Sequence, residues 1–268
     1  MIDDQIIIVI PARFASTRFP GKPLYALKGP TGEAKPLIRW TWETACAVPG
    51  VDAVYVATDS DEIARAAEGF GAQVVMTSAD CRNGTERCAD AVRRLGGRPR
   101  LVVNVQGDAP LTPGYVVAAL IERAAAGGDA MVHTPALRCS LEQFERLEAD
   151  ARRGIVGATT VACTEHGRAL YFSKQMIPYQ PADRRQSGVS TLLHMGIYAY
   201  TPAALDAYVA HPETELERLE GLEQLRFLEF GAPVAVVPVD PPAWDIWELN
   251  NASDVGVVEA GLARMLRP

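Results

Sequence analysis

Short apolar runs alternate with helical patterns through the first half of this 268-residue chain, and that alternation leaves few folds open. Residues 6–10 (IIIVI) read as a fully buried strand, and residues 37–47 read as a helix behind Pro36. A second strand, 53–57 (AVYVA), leads into TDSDEIARAAEGFG, where Asp59 or Ser60 can cap a helix ending at Gly69 or Gly71. Residues 73–76 form a third strand, followed by a helix over 84–95. A fourth strand spans 101–106 (LVVNVQ), with a helix over 115–126. Strand and helix at this spacing predict βαβ units, and hence an α/β fold on a mostly parallel sheet. Ligands bind such sheets beyond the carboxyl ends of the strands. The segments PARFASTRFPGKP, TDSD, TSADCRNGTER and GDAP are therefore expected to face one crevice.

The second half reads differently. GATTVAC, ALYFSK, LLHMGIYAYT and VAVVPVD look like strands of more antiparallel character. Helices are expected at 202–210, 216–229 and 252–265, and RRQSGVSTL (184–192) is expected to be the most mobile loop. With no linker rich in Gly, Pro or Ser, a single domain is expected over residues 1–268. Residues 1–130 and 131–268 read as its two halves, with a smaller antiparallel subregion in the second.

The chain carries 33 acidic and 26 basic residues, a net charge of −7. That balance disfavours nucleic acid as a partner. Positive charge for an anionic ligand must then be local. The five cysteines form no C-x-x-C pair, so neither a zinc site nor a disulfide framework is expected. The start, MIDDQIIIVIPAR, lacks the basic opening of a signal peptide and the ~20 apolar residues of a membrane span. A cytoplasmic location without membrane contact is expected.

The loop of residues 11–23 concentrates Arg13, Arg18 and Lys22 directly after the first strand. It lacks the spacing of a P-loop or a dinucleotide fingerprint. Its cations are spread as a wrap around an anion: arginine clamps phosphate oxygens in pairs, and lysine acts as a point charge. A solvated basic loop is the plain alternative. Asp108, just past the fourth strand, suits Mg²⁺, which takes one or two carboxylates and completes its shell with phosphates and water; a turn aspartate is the alternative. In NGTERC, Thr85 reads as a helix cap, while Asn83 and Arg87 can also reach a base or phosphate. His194 reads as a structural histidine on a strand, and Glu223 and Gln224 as exposed polar positions on an amphipathic helix.

VIPARFASTRFPGKPL resembles the signature of the 3-deoxy-manno-octulosonate cytidylyltransferases, the CMP-Kdo synthetases. The likeness continues through VATDSDEIARAAEGFGAQVVMTSADCRNGTER, VVNVQGDAPL, ALYFSK, HMGIYAY and LEGLEQLRFLEFG, covering nearly the whole chain. The resemblance implies a nucleotide-diphospho-sugar-transferase-like (Rossmann-like) fold, a homodimer, and Mg²⁺-dependent transfer of CMP from CTP to a small anionic acceptor, with residues 1–130 as the nucleotide-binding half and residues 131–268 as the acceptor-binding and dimerisation half. It implies triphosphate contacts from Pro11, Ala12, Arg13, Ser16, Thr17, Arg18 and Lys22, with Arg13, Lys22 and Asp108 catalytic. Asn83, Gly84, Thr85 and Arg87 would flank the nucleotide. Gln106 would serve base or acceptor, and Lys174, His194, Tyr198, Glu223 and Gln224 would line the acceptor pocket.

The pattern breaks mainly on the acceptor side. Ala109 stands where the family has glutamate in Gly-Asp-Glu-Pro, Thr160 where it has lysine, and Lys174 where it has arginine. IPYQP replaces Ile-Pro-Trp-Asp-Arg. Asn250, in NNASDV, replaces an aspartate that serves as a second metal ligand, and Asp245 or Glu248 in the preceding PAWDIWE segment are the candidates to supply the missing carboxylate. A site of paired polar groups rejects analogues that leave them unpaired. The acceptor is therefore expected to be either Kdo or a related sugar acid, or a phosphonate such as phosphonoformate. A glycosyltransferase using the Asp-x-Asp of TDSD and a non-catalytic nucleotide-binding relative are the rival readings.

Overall fold

A computed structural model describes residues 2–15, 18–187 and 190–266. Ser16 and Thr17 of the basic loop, and Gly188 and Val189 of the 184–192 loop, lie outside the described residues.

The first half follows the βα alternation. Strands β1 (Ile6–Ala12), β4 (Ala53–Thr58) and β6 (Leu101–Asn104) are almost wholly buried, while the edge strand β5 (Gln73–Met76) buries only Val75. They align in parallel in the order β5-β4-β1-β6. Helices α1 (Leu37–Cys46), α2 (Asp61–Gly69), α3 (Gly84–Leu95) and α4 (Gly114–Ala125) cover its two faces. Side chains alternate across a strand. Thus Ile7 and Val9 join the core on the α3 side, while Ile6, Ile8 and Ile10 join the core against α1 and α4. Ser60 caps α2 by accepting the Ile63 amide at 3.4 Å. Asn83 caps α3 by accepting the Glu86 amide at 2.9 Å. The cap of α3 is thus Asn83 rather than the expected Thr85, which lies inside the first turn and spends its hydroxyl on Tyr200.

Between β1 and α1 a small hairpin, β2 (Ala26–Lys28) and β3 (Ala34–Pro36), packs near the C-terminal helix. Strand β7 (Val132–Arg138) and helix α5 (Leu141–Arg152) follow α4. Then come β8 (Thr160–Cys163), β9 (Ala169–Ser173), β10 (Leu192–His194) and β11 (Tyr198–Tyr200). Helices α6 (Pro202–Ala210), α7 (Glu215–Glu220) and α8 (Leu225–Glu229) lead to β12 (Val234–Val239) and α9 (Val255–Met265). Among the described residues ten strands make one sheet, which continues β6-β11-β7-β10-β8-β9, with β12 also paired to β7. No helix among the described residues is long and apolar enough to cross a membrane.

Four departures from the sequence reading have physical causes. LLHMGIYAYT is two strands: Thr134 Oγ1 contacts the carbonyls of Met195 and Ile197 at 3.2 and 2.8 Å, stapling a break at Met195–Ile197. Across that break the segment exchanges one neighbour, β8, for another, β6, while staying beside β7. VAVVPVD is parallel to β7, not antiparallel. The single helix expected over 216–229 is two, because Gly221 adopts φ 62 and ends α7 in the left-handed region. The final helix starts at Val255, after a short 3-10 turn, Ala252–Asp254.

Candidate active site

The strand order reverses between β1 and β6: the chain passes from β1 outward to β4 and β5, then returns to β6 on the other flank. Such a switch point opens a crevice at the strands' carboxyl ends. The loop after β1, described at residues 13–15 and 18–22, and the turn Gln106–Gly107–Asp108 enter it. That turn packs closely on the end of β1: a Cβ on Gly107 would lie 2.7 Å from the Pro11 carbonyl. Thr41 Oγ1 of α1 also donates to the Gly107 carbonyl at 3.3 Å.

One wall of the crevice is charged. Lys22 Nζ lies 2.6 Å from Asp108 Oδ2, with Lys22 9% exposed and Asp108 partly buried. Arg18 donates to Asn250 Oδ1 at 3.0 Å, and Asn250 Nδ2 donates to Glu248 Oε2 at 3.4 Å. The Leu249 amide donates to the Asp108 carbonyl at 3.0 Å, binding the 248–250 segment to the β6 turn. Arg13 is exposed, and no partner for it exists among the described residues.

The same Leu249–Asp108 backbone bond anchors the fully buried Leu249 at this turn, and the side-chain bonds from Arg18 to Asn250 and from Asn250 to Glu248 bring residues 248 and 250 to the charged wall. Asp245 is exposed and pairs with none of the described residues. Glu248 keeps access to solvent, yet much protein surrounds its carboxyl. That packing and the neighbouring charge of Asp108 push it above the usual carboxylate range, against the pull of Asn250, Lys22 and Arg18.

The other wall is buried and largely uncharged. Tyr198 OH donates to Gln224 Oε1 at 3.0 Å, and Gln224 is 2% exposed. The Thr85 amide donates to Glu223 Oε2 at 3.0 Å, and Thr85 Oγ1 lies 2.7 Å from Tyr200 OH. Asn83 Nδ2 donates to Tyr208 OH at 2.9 Å. Beneath them Arg226, 1% exposed, forms two 2.6 Å bonds to Glu217 and stacks on Tyr208 at 3.9 Å. Burial raises the Glu223 carboxyl above its ordinary range; the Thr85 bonds and Arg226 oppose that, and Glu217 adds to it. Burial also pulls the His194 imidazole down to about 3, so the ring is neutral at physiological pH. His194 Nε2 lies 2.9 Å from Thr134 Oγ1, and the ring packs between Phe172 and Tyr198.

The sequence-derived residues therefore fall into three groups. Pro11, Ala12, Arg18, Lys22, Asp108, Glu248 and Asn250 meet at the charged wall, with Arg13 on its exposed rim. Gly84, Gln106, Tyr198, Glu223 and Gln224 gather at the buried wall; a Cβ on Gly84 would lie 3.0 Å from the amide nitrogens of Gln106 and Asn104. Lys174 approaches the same wall from β9: its amide donates to Glu220 at 2.9 Å, and its Nζ would lie 3.0 Å from a Cβ on Gly221. Glu223 and Gln224 are not the exposed helix face that periodicity suggests, because the break at Gly221 turns them inward.

Arg87 belongs behind the crevice. It is 3% exposed, and it donates to Thr77 Oγ1 at 2.6 Å and to Asp59 Oδ2 at 3.1 Å. Asp59 is occupied by that pair, Ser60 caps α2, and Asp61 is its first residue, so TDSD serves local structure. Thr160 is also internal, its hydroxyl donating to the Gln175 carbonyl at 2.6 Å. Sequence reasoning missed Asn104, which is fully buried with neither side-chain polar atom paired among the described residues. A polar residue in the middle of LVVNV is the signal that points to it.

A parallel sheet with a cationic loop at its switch point and a carboxylate on the next turn defines a nucleotidyltransferase-like α/β protein. The family model described as "Cytidylyltransferase" matches residues 7–234, and the chain belongs to that family. A 3-deoxy-manno-octulosonate cytidylyltransferase of Maricaulis maris is 42% identical over 259 residues, covering 97% of each chain. An 8-amino-3,8-dideoxy-manno-octulosonate cytidylyltransferase of Shewanella sediminis is 38% identical, covering 97% of this chain and 99% of the relative. A solved CMP:2-keto-3-deoxy-manno-octonic acid synthetase, complexed with CTP, superposes with a TM-score of 0.83 at 31% identity, covering 98% of this chain and 100% of that one.

Proposed function

We propose that this cytidylyltransferase moves CMP from CTP to a 3-deoxy-octulosonate or its 8-amino relative, releasing pyrophosphate. The observation that carries the reading is the junction of Lys22, Asp108 and Arg18 at the β1/β6 switch point, facing a buried polar wall. An acceptor oxygen attacks the α-phosphorus, the bond to the pyrophosphate oxygen breaks, and the cations of residues 13–22 take up the charge on the departing group. Arg18 is set in place by Asn250, and Lys22 by Asp108, so both cations are ordered near one point before ligand arrives.

Among the described residues no three His, Cys, Asp or Glu side chains form a metal cage. A site with a single aspartate still fits Mg²⁺, whose shell is completed by phosphates and water. Asp108 would hold the ion, which when bound supplies further charge neutralisation on the triphosphate. Lys22, which pairs with Asp108 here, would supply positive charge to the phosphates beside that ion.

On the acceptor side, Tyr198, Gln224, Glu223 and Gln106 present neutral or weakly ionised polar groups suited to the hydroxyls of a sugar acid. Lys174 supplies positive charge near them for a carboxylate. The relatives named above support an octulosonate, and no feature of this wall favours a phosphonate over it. A homodimer in the cytoplasm goes with this reading. It is supported by β9, an edge of the sheet with Leu170 61% exposed, and by five free thiols, which suit a reducing compartment.

The test is pyrophosphate release from CTP with Kdo, 8-amino-Kdo and phosphonoformate offered separately. Turnover with an octulosonate and none with phosphonoformate is expected. Turnover with phosphonoformate alone overturns the acceptor class, and CTP binding without turnover on any acceptor overturns the catalytic reading.

A further inference from the structure

We propose that Glu248 is the second carboxylate of the metal site, doing from two residues upstream what an aspartate at position 250 would do. Three observations carry this assignment. First, the side chains of Glu248 and Asn250 lie on one side of the segment, since Asn250 Nδ2 donates to Glu248 Oε2 at 3.4 Å and Asn250 Oδ1 accepts from Arg18 at 3.0 Å. Leu249 between them is fully buried in the cluster with Leu27, Leu37, Trp40 and Leu111, which anchors the segment.

Second, the segment is registered on the turn that carries Asp108. The Leu249 amide donates to the Asp108 carbonyl at 3.0 Å, while Asp254 Oδ2 accepts the amides of Asn250 and Asn251 at 3.0 and 2.6 Å. A carboxylate at 248 is thereby held beside Asp108 by a segment whose following amides are all engaged. Its charge is close enough to feel Asp108, Lys22 and Arg18.

Third, Asn250 is engaged as a connector. Its Oδ1 accepts from Arg18 at 3.0 Å, and its Nδ2 donates to Glu248 Oε2 at 3.4 Å. An amide can accept and donate at once, which an ionised carboxylate cannot. Asn250 therefore orients an arginine and a carboxylate together, and it leaves the full charge of Arg18 available to a phosphate. Asp245, three residues before Glu248, is exposed and lacks such contacts. Ala109, buried beside Asp108, offers no carboxylate, so Glu248 is the acid that the fold brings to this point.

The assignment rests on the cytidylyl-transfer reading for the nature of the bound phosphates, but its test does not depend on turnover. Mn²⁺ serves as the probe, with free ion counted by electron paramagnetic resonance, first with protein alone and then with CTP but no acceptor. Glu248→Gln is expected to weaken Mn²⁺ binding in the CTP complex at least tenfold while Asp245→Asn leaves it within twofold of wild type. Adding Asn250→Asp to Glu248→Gln is expected to restore most of the affinity, which a merely structural role for Glu248 would not allow. Glu248→Gln with wild-type Mn²⁺ affinity, or an equal loss in Asp245→Asn, overturns the assignment. Thermal melts establish that each variant is folded, and Glu248→Asp is a milder variant expected to retain part of the affinity. A protein that binds Mn²⁺ through Glu248 yet releases no pyrophosphate with any acceptor keeps this assignment and loses the proposed function.

Discussion

The two walls of the crevice handle charge in opposite ways. On the charged wall Arg13 and Arg18 are exposed, and the tight pair of Lys22 with Asp108 is partly open to solvent. On the buried wall Arg226 and Glu217 are 1% and 5% exposed, and hydroxyls and amides such as those of Tyr198 and Gln224 lie above them. A pair with one end open to water contributes less to stability than a sealed one and can reorganise around a ligand. A buried pair is costly to break, because the surviving partner is left without water. Under the proposed function the charged wall is thus suited to bind a ligand, and the buried wall to hold shape.

This contrast predicts that substitutions on the two walls fail differently. The largest effect is expected from Asp108→Asn, which keeps the side-chain shape and removes the charge shared by Lys22 and the proposed metal. Turnover should fall by roughly a thousandfold or more, as when a main transition-state contact is lost. The melting temperature should change little. Measuring pyrophosphate release alongside a thermal melt checks both parts, and near-wild-type turnover would remove Asp108 from the chemistry.

Arg226→Ala should show the reverse. It leaves Glu217 buried and Tyr208 without its stacking partner, so a loss of about 3–5 kcal/mol is expected. Chemical denaturation measures it. Loss below ~1 kcal/mol would mean that the pair contributes little and the wall is held by its aromatic packing alone. Next in size is Tyr198→Phe, which removes the hydroxyl that donates to Gln224 and leaves that buried amide oxygen unpaired. Its expected cost is about fivefold in acceptor KM, with the affinity for CTP unchanged, consistent with the loss of one hydrogen bond of ~1 kcal/mol. A loss of CTP affinity instead would place Tyr198 on the wrong wall.

The charged wall is far more legible in the sequence than the buried one. A cationic loop after a buried strand and an aspartate after the fourth strand are local patterns, and βα alternation alone sends both to one crevice. Strand β7 escapes a sequence reading because VHTPALR contains His133 and Pro135, and proline argues against a central strand. It is tolerated where the neighbouring ladder is already interrupted, opposite the break between β10 and β11. Glu223 and Gln224 read as a helix face because LEGLEQLRFLEFG has helical periodicity. Gly221, inside that pattern, is the one local sign of a break. The Arg226–Glu217 pair has no local sign, since partners nine residues apart meet only after the chain turns at Gly221.

The smallest effect tests whether the buried wall gives up stability for function. Burial raises the Glu223 carboxyl, so the folded protein holds that proton more tightly than the unfolded chain. Below the unfolded value of about 4.3 both states are protonated, and the group contributes no difference. As pH rises from there through the raised folded value, the unfolded state ionises first and folding loses stability; above the folded value the loss is complete and constant. Glu223→Gln keeps an oxygen for the Thr85 amide and removes the charge. The variant should melt about 2–4 °C above wild type at pH 8, a gain of roughly 1 kcal/mol, and match it at pH 4. Acceptor turnover should fall in the same protein. A stabilised variant with full turnover would make Glu223 a cost without a role on the acceptor wall, whereas equal melting at both pH values would show that Thr85 and Arg226 already offset its burial.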